Sequence, residues 1–127
     1  MIKNDAMFKL SYGLFILSAH ENEKDNACII NTACQVTSDP KKITIAVNKN
    51  NYTCGMIQHT KKFNVSVLAE GVSFNVFKNF GFQSGKNTDK FTNFTDIKRS
   101  PNGVLYITKD TNAFMSAYVQ QEIDLGT

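Results

Sequence analysis

Apolar positions fall in short runs along the chain, and their spacing sets the first expectations. Tyr12 to Ala19 (YGLFILSA) is almost unbroken apolar sequence, as in a strand buried on both faces. Ala27 to Cys34 is a second such run. The charged stretch His20 to Asn26 (HENEKDN) between them reads as the turn of a hairpin. Ser38-Asp39-Pro40-Lys41-Lys42 predicts another turn, because Pro40 cannot donate to a central ladder. Ile43 to Val47 is then a third strand. In Phe63 to Leu68, Phe63, Val65 and Val67 alternate with polar residues, the period of a strand. Gly103 to Thr108 and Ala113 to Ile123 also read as strands, set off by turns at Pro101-Asn102-Gly103 and Lys109-Asp110-Thr111-Asn112.

Helical spacing is briefer. Met56, Ile57 and Thr60 mark a short helix over Thr53 to Lys61, despite Gly55. Ser73 to Phe80 predicts a second. Asn4 to Leu10 predicts a helical turn capped by Asn4 or Asp5. Gly81 to Lys90 is a long polar loop, and residues 91–98 carry no decisive pattern. Many strands with short helices between them predict a small, mostly antiparallel barrel formed as one domain over residues 1–127.

Composition narrows the function classes. The chain has 127 residues, ten Phe, four Tyr, no Trp and a formal charge of +3. That surplus is too small for a nucleic-acid binder, though it suits a small anion. The longest apolar run is too short to span a membrane, and no signal peptide is recognised. Cys28, Cys34 and Cys54 are odd in number and lack CxxC spacing. They argue against a disulfide framework or a zinc site and predict three buried thiols in a reducing compartment, the cytoplasm. Sequons at Asn51, Asn64 and Asn93 carry little weight without secretion.

Candidate chemistry is sparse. His20 and His59 lie in no nucleophile motif and read as surface residues. Gly81 to Asn87 (GFQSGKN) is one residue short of a phosphate loop and has Asn where magnesium needs Ser or Thr. Two stretches stand out instead. Asn48-Lys49-Asn50-Asn51-Tyr52-Thr53 leaves a strand and enters a helix. A helix start with an adjacent lysine suits a phosphate monoester, and an ordinary capped turn gives the same sequence. Asn31 to Ser38 is polar but uncharged between two apolar runs. Such groups match the edge of a flat heteroaromatic ring such as flavin, or face solvent at a strand end.

Five runs in order resemble one family. They are Lys9 to Ser18 (KLSYGLFILS), Asp25 to Pro40 (DNACIINTACQVTSDP), Val47 to Thr53 (VNKNNYT), Phe63 to Leu68 (FNVSVL) and Phe80 to Phe91 (FGFQSGKNTDKF). The chain resembles the flavin reductase-like FMN-binding domain family, a split β-barrel, over nearly its whole length. The resemblance implies a homodimer with one FMN per subunit. It implies that Asn31, Thr32, Ala33 and Cys34 line the flavin ring and that Asn48, Lys49, Asn51 and Thr53 hold the phosphate. It also implies that Ser84, Gly85, Lys90 and Phe91 belong to a loop closing over the site.

By the same resemblance, relatives continue past the equivalent of Asp124-Leu125-Gly126-Thr127 into a further strand. The expectation is a barrel lacking its C-terminal strand or strands, with no rubredoxin module. The implied function is a redox domain in which NAD(P)H reduces FMN and electrons pass to free flavin or a rubredoxin-like partner. A non-catalytic flavin carrier and a cofactor-free interaction barrel are the alternatives.

Overall fold

The computed structural model describes residues 3–127. Its centre is a four-stranded antiparallel sheet in the order β2-β1-β5-β8. β1 (Phe15–Glu21) pairs with β2 (Lys24–Ile30) on one side and β5 (Lys62–Leu68) on the other, and β5 pairs with β8 (Thr111–Tyr118). The apolar run of β1 is explained by cover on both faces. Leu17 and Ala19 join Met56, Ile57, Phe63 and Val65 in one core cluster. Ile16 joins Ala27, Val76, Phe80 and Ile107 in the other.

The first face is covered by α2 (Tyr52–Thr60) and by a separate hairpin of β3 (Ala33–Ser38) and β4 (Lys41–Ile45). The second is covered by α3 (Phe74–Gly81) and a hairpin of β6 (Ile97–Arg99) and β7 (Leu105–Ile107). The strands form three sheets that do not close into one ring among the described residues, the geometry of a split barrel. Among those residues no helix is long and apolar enough to cross a membrane.

Several boundaries differ from expectation. The hairpin turn shrinks to Asn22 and Glu23, both at positive φ, because Glu21 already pairs with Lys24. The run Ala27 to Cys34 is two strands, broken at Asn31-Thr32. The uncharged stretch that follows is β3, whose residues after Ala33 are all exposed. Tyr12 to Leu14 precede β1, and β4 ends at Ile45. β6 occupies part of the undecided stretch, and β8 begins at Thr111, inside the expected turn. The first helical turn, α1 (Asn4–Met7), has Lys3 at its N-cap with no side-chain capping bond, so neither Asn4 nor Asp5 caps it. α2 and α3 begin where asparagine and serine can cap. Asn51 Oδ1 accepts from the Thr53 amide, and Ser73 Oγ from the Asn75 amide.

Two polar predictions change as well. Only Cys28 is buried, while Cys54 is partly exposed and Cys34 exposed. His20 is part-buried against Asp25 at 2.8 Å, whereas His59 is an exposed partner of Glu21.

Candidate functional site

β2 is an edge strand, so alternate peptide groups face away from the sheet. Ala27 turns its carbonyl outward to Lys90. The period of two turns the Ile29 peptide groups the same way. A cleft of about 640 Å³ runs along this edge. Its first wall is the start of α2, with Asn50, Asn51 and Tyr52. Its second is α3 and the segment after it, with Phe74, Phe77, Gly81, Phe82, Ser84 and Gly85. Cys28, Ile29 and Lys90 form the floor.

The aromatic wall follows from helical spacing. Phe74 and Phe77 are one turn apart on α3, and Phe82 follows its end. Phe74 and Phe82 pack against each other with ring centroids 5.8 Å apart, yet both remain about two-thirds exposed at the mouth. Phe80 turns into the core, where it meets Phe91 and Phe94.

The floor holds a buried cation. Lys90 is 3% exposed, and its Nζ donates to Ala27 O at 2.7 Å and Phe80 O at 3.0 Å. Among the described residues no carboxylate lies within ion-pair distance of it. Burial holds its ammonium below the usual lysine range, partly offset by the nearby Cys28 sulfur. Burial likewise pushes the Cys28 thiol up, against a hydrogen bond from Thr53, the Lys90 charge and a hydrogen bond from Asn51.

Behind the floor stands Asn26, 1% exposed. Its Nδ2 donates to Thr53 Oγ1 at 2.9 Å, but its Oδ1 has no partner. Gly85 lies directly on this amide, and a Cβ there would come within 2.2 Å of Oδ1. Only glycine fits such an approach. Lys24 spans the mouth, donating to Gly85 O while its Nζ sits 4.5 Å from the centre of the Tyr52 ring.

Of the twelve residues expected at a site, the cleft gathers Asn51, Ser84, Gly85 and Lys90. The others lie elsewhere. Thr53 is fully buried, its hydroxyl oxygen accepting from Asn26 Nδ2. Lys49 ion-pairs with Asp124 at 3.0 Å, and Asn48 caps its own turn by accepting from the Asn50 amide. Phe91 packs on Phe80. Asn31, Thr32, Ala33 and Cys34 continue from β2 into β3 beyond Ile29, outside the cleft. Sequence reasoning missed Lys24, Asn26, Tyr52 and the phenylalanine wall. The spacing of Phe74 and Phe77 on an expected helix was a signal for the wall, and Asp25-Asn26-Ala27-Cys28 within a matching run was one for Asn26.

The surfaces fit a flavin nucleotide. Phenylalanines and Ile29 suit a flat ring, and the free β2 edge suits its hydrogen-bonding rim. The orphan Asn26 acceptor suits a hydroxyl, and the helix start with lysines suits a phosphate.

Comparison with solved structures places this fold among FMN-binding split barrels. Flavoredoxin from Methanosarcina acetivorans superimposes with a TM-score of 0.84 at 20% identity, over 100% of this chain and 67% of that one. The chain belongs to the flavin reductase like domain family, whose model matches residues 7–127. It is 38% identical to the high molecular weight rubredoxin of Moorella thermoacetica over 96% of its own length and 53% of that protein. It is 33% identical to a ferric-chelate reductase (NAD(P)H) of Archaeoglobus fulgidus, over 97% of this chain and 72% of that one. The family and fold expected from the five runs are thus borne out. Flavin-based electron transfer is the chemistry of this class.

Proposed function

We propose that this chain binds FMN in the β2 cleft as a redox domain, accepting a hydride from NAD(P)H and passing electrons to free flavin or a rubredoxin-like protein. The observation that carries this reading is the pairing of an aromatic-walled cleft with an uncompensated buried cation, Lys90, in its floor. The bound flavin would supply the hydride and electron chemistry. The chain's own residues bind and orient. Phe74, Phe77 and Phe82 exclude water from the ring. The outward Ile29 peptide groups and Asn31 to Cys34, beyond the same strand, meet its rim. Asn51 and the start of α2 face the phosphate, with Asn48, Lys49 and Thr53 shaping that turn. Ser84 and Gly85 belong to the covering segment, which Lys90 in the floor and Phe91 against Phe80 anchor.

The missing acid–base constellation agrees with this chemistry, because hydride transfer requires no side-chain proton donor. The names of the two relatives support NAD(P)H as donor and a rubredoxin-type acceptor. A homodimer is supported by exposed apolar side chains, Phe8, Leu10, Tyr12 and Val36, that a second copy would cover. The three free cysteines support a cytoplasmic setting.

The test is anaerobic addition of NADH or NADPH to FMN-loaded protein. Rapid bleaching of the flavin bands by either donor is expected. FMN that stays bound and oxidised with both would contradict the reductase reading and leave a flavin carrier.

A further inference from the structure

The lysine next to the start of α2 in sequence does not line the cleft. Lys49 turns away to Asp124, and its backbone amide bonds the Thr127 carbonyl. Lys24, at the first position of β2, instead reaches across the cleft mouth. Its ammonium rests over the ring of Tyr52, the first residue of α2, and donates to the carbonyl of Gly85 on the opposite wall. Among the described residues no carboxylate pairs with it.

We propose that Lys24 is the phosphate-recognising cation of the cleft, and that its bond to Gly85 is a latch which a ligand phosphate displaces. The proposal rests on reading the cleft as an FMN site and names the residue that reads the phosphate there.

Two independent features support an exchange at this point. The first is charge. A neutral carbonyl is a weaker partner for an ammonium than a phosphate dianion, and the start of a nine-residue helix lies beside it. Lysine, a mobile point charge on a flexible stem, can leave one acceptor for the other. The second is the orphan acceptor. With Gly85 latched, Asn26 Oδ1 is buried under it and has no donor. A buried acceptor without a partner disfavours the latched form. Movement of Gly85 exposes that oxygen to a ligand hydroxyl, so the same event satisfies both groups.

The test compares FMN with riboflavin, which has the same ring and hydroxyls but no phosphate. Dissociation constants are measured by flavin fluorescence quenching for wild type, Lys24→Met and Lys24→Arg. Loss of one charge-assisted hydrogen bond predicts FMN binding about 10- to 100-fold weaker in Lys24→Met. Riboflavin binding should not weaken, and Lys24→Arg should recover most of the FMN affinity. In ligand-free protein, Lys24→Met should also speed hydrogen exchange at the Gly85 and Lys86 amides. Equal weakening of FMN and riboflavin, or unchanged FMN binding, would overturn the role given to Lys24. Wild type that binds neither flavin would overturn the FMN reading of the cleft itself, and this inference with it.

Discussion

Two asparagines flank β1 at neighbouring rungs of the central sheet. Asn64 of β5 pairs with Ser18, and Asn26 of β2 pairs with Ala19. Both are essentially fully buried. Asn64 closes its hydrogen bonds. Its Nδ2 donates to Ser100 Oγ at 2.8 Å and Val104 O at 2.9 Å, and its Oδ1 accepts from Asn102 Nδ2 at 3.0 Å. Asn26 leaves its Oδ1 without a partner, buried beneath Gly85. Same residue, same depth, opposite outcome: one buried amide completes its own network, and the other keeps an unpaired acceptor.

Asn64→Ala should therefore have the largest effect on stability. It strips donors from the Ser100–Val104 turn and leaves the Asn102 amide only its 3.4 Å bond to Phe63 O. A loss of about 3 kcal/mol is expected from urea unfolding, with flavin affinity of the folded fraction unchanged. Asn26→Ala removes one satisfied bond, to Thr53, and one orphan. Its stability cost should be nearer 1 kcal/mol, while flavin retention after desalting falls. Equal stability losses for the two variants would erase the contrast.

Lys90→Met sharpens the comparison from the charged side. The variant gives up two hydrogen bonds to carbonyls but also a buried charge, so the net change near neutral pH should be within about 1 kcal/mol. The pH dependence is more telling. Burial lowers the folded-state value of Lys90, so between that value and the unfolded one the unfolded chain holds a proton the folded chain has released. Stability of the wild type should then rise with pH across that window, and Lys90→Met should lack that rise.

The smallest effect is expected at Asp25. Arg99 grips it through two bonds of 2.9 and 3.0 Å, and His20 adds a third. Burial raises its carboxyl, but these bonds outweigh it and hold the value below the ordinary one. This stabilisation is present above the unfolded value and lost as pH falls through the folded one. Asp25→Asn should cost about 0.5–1 kcal/mol at neutral pH. Thermal unfolding should show the gap to wild type closing as pH falls below the usual carboxylate range.

What could be read in advance follows the strength of each local signal. β1 and β5 were legible because an unbroken apolar run and a clean alternation each have one good explanation. The break at Asn31-Thr32 was not, because β3 is exposed on nearly every residue and has no apolar period to reveal it. Asn51 was legible as a helix cap, since capping needs only near neighbours. Lys49 was misleading for the opposite reason: a long exposed side chain takes whichever carboxylate the fold brings near, here Asp124, seventy-five residues away. Lys24 and Asn26 gained their meaning only when Gly85 was folded onto β2, an approach between residues about sixty apart that no spacing encodes.

The central claim is that the cleft along β2 holds FMN. The most direct test is a visible absorbance spectrum of purified protein given excess FMN and then desalted. Flavin bands that survive, and that Asn26→Ala loses, are the predicted result. A colourless wild-type protein would contradict the account.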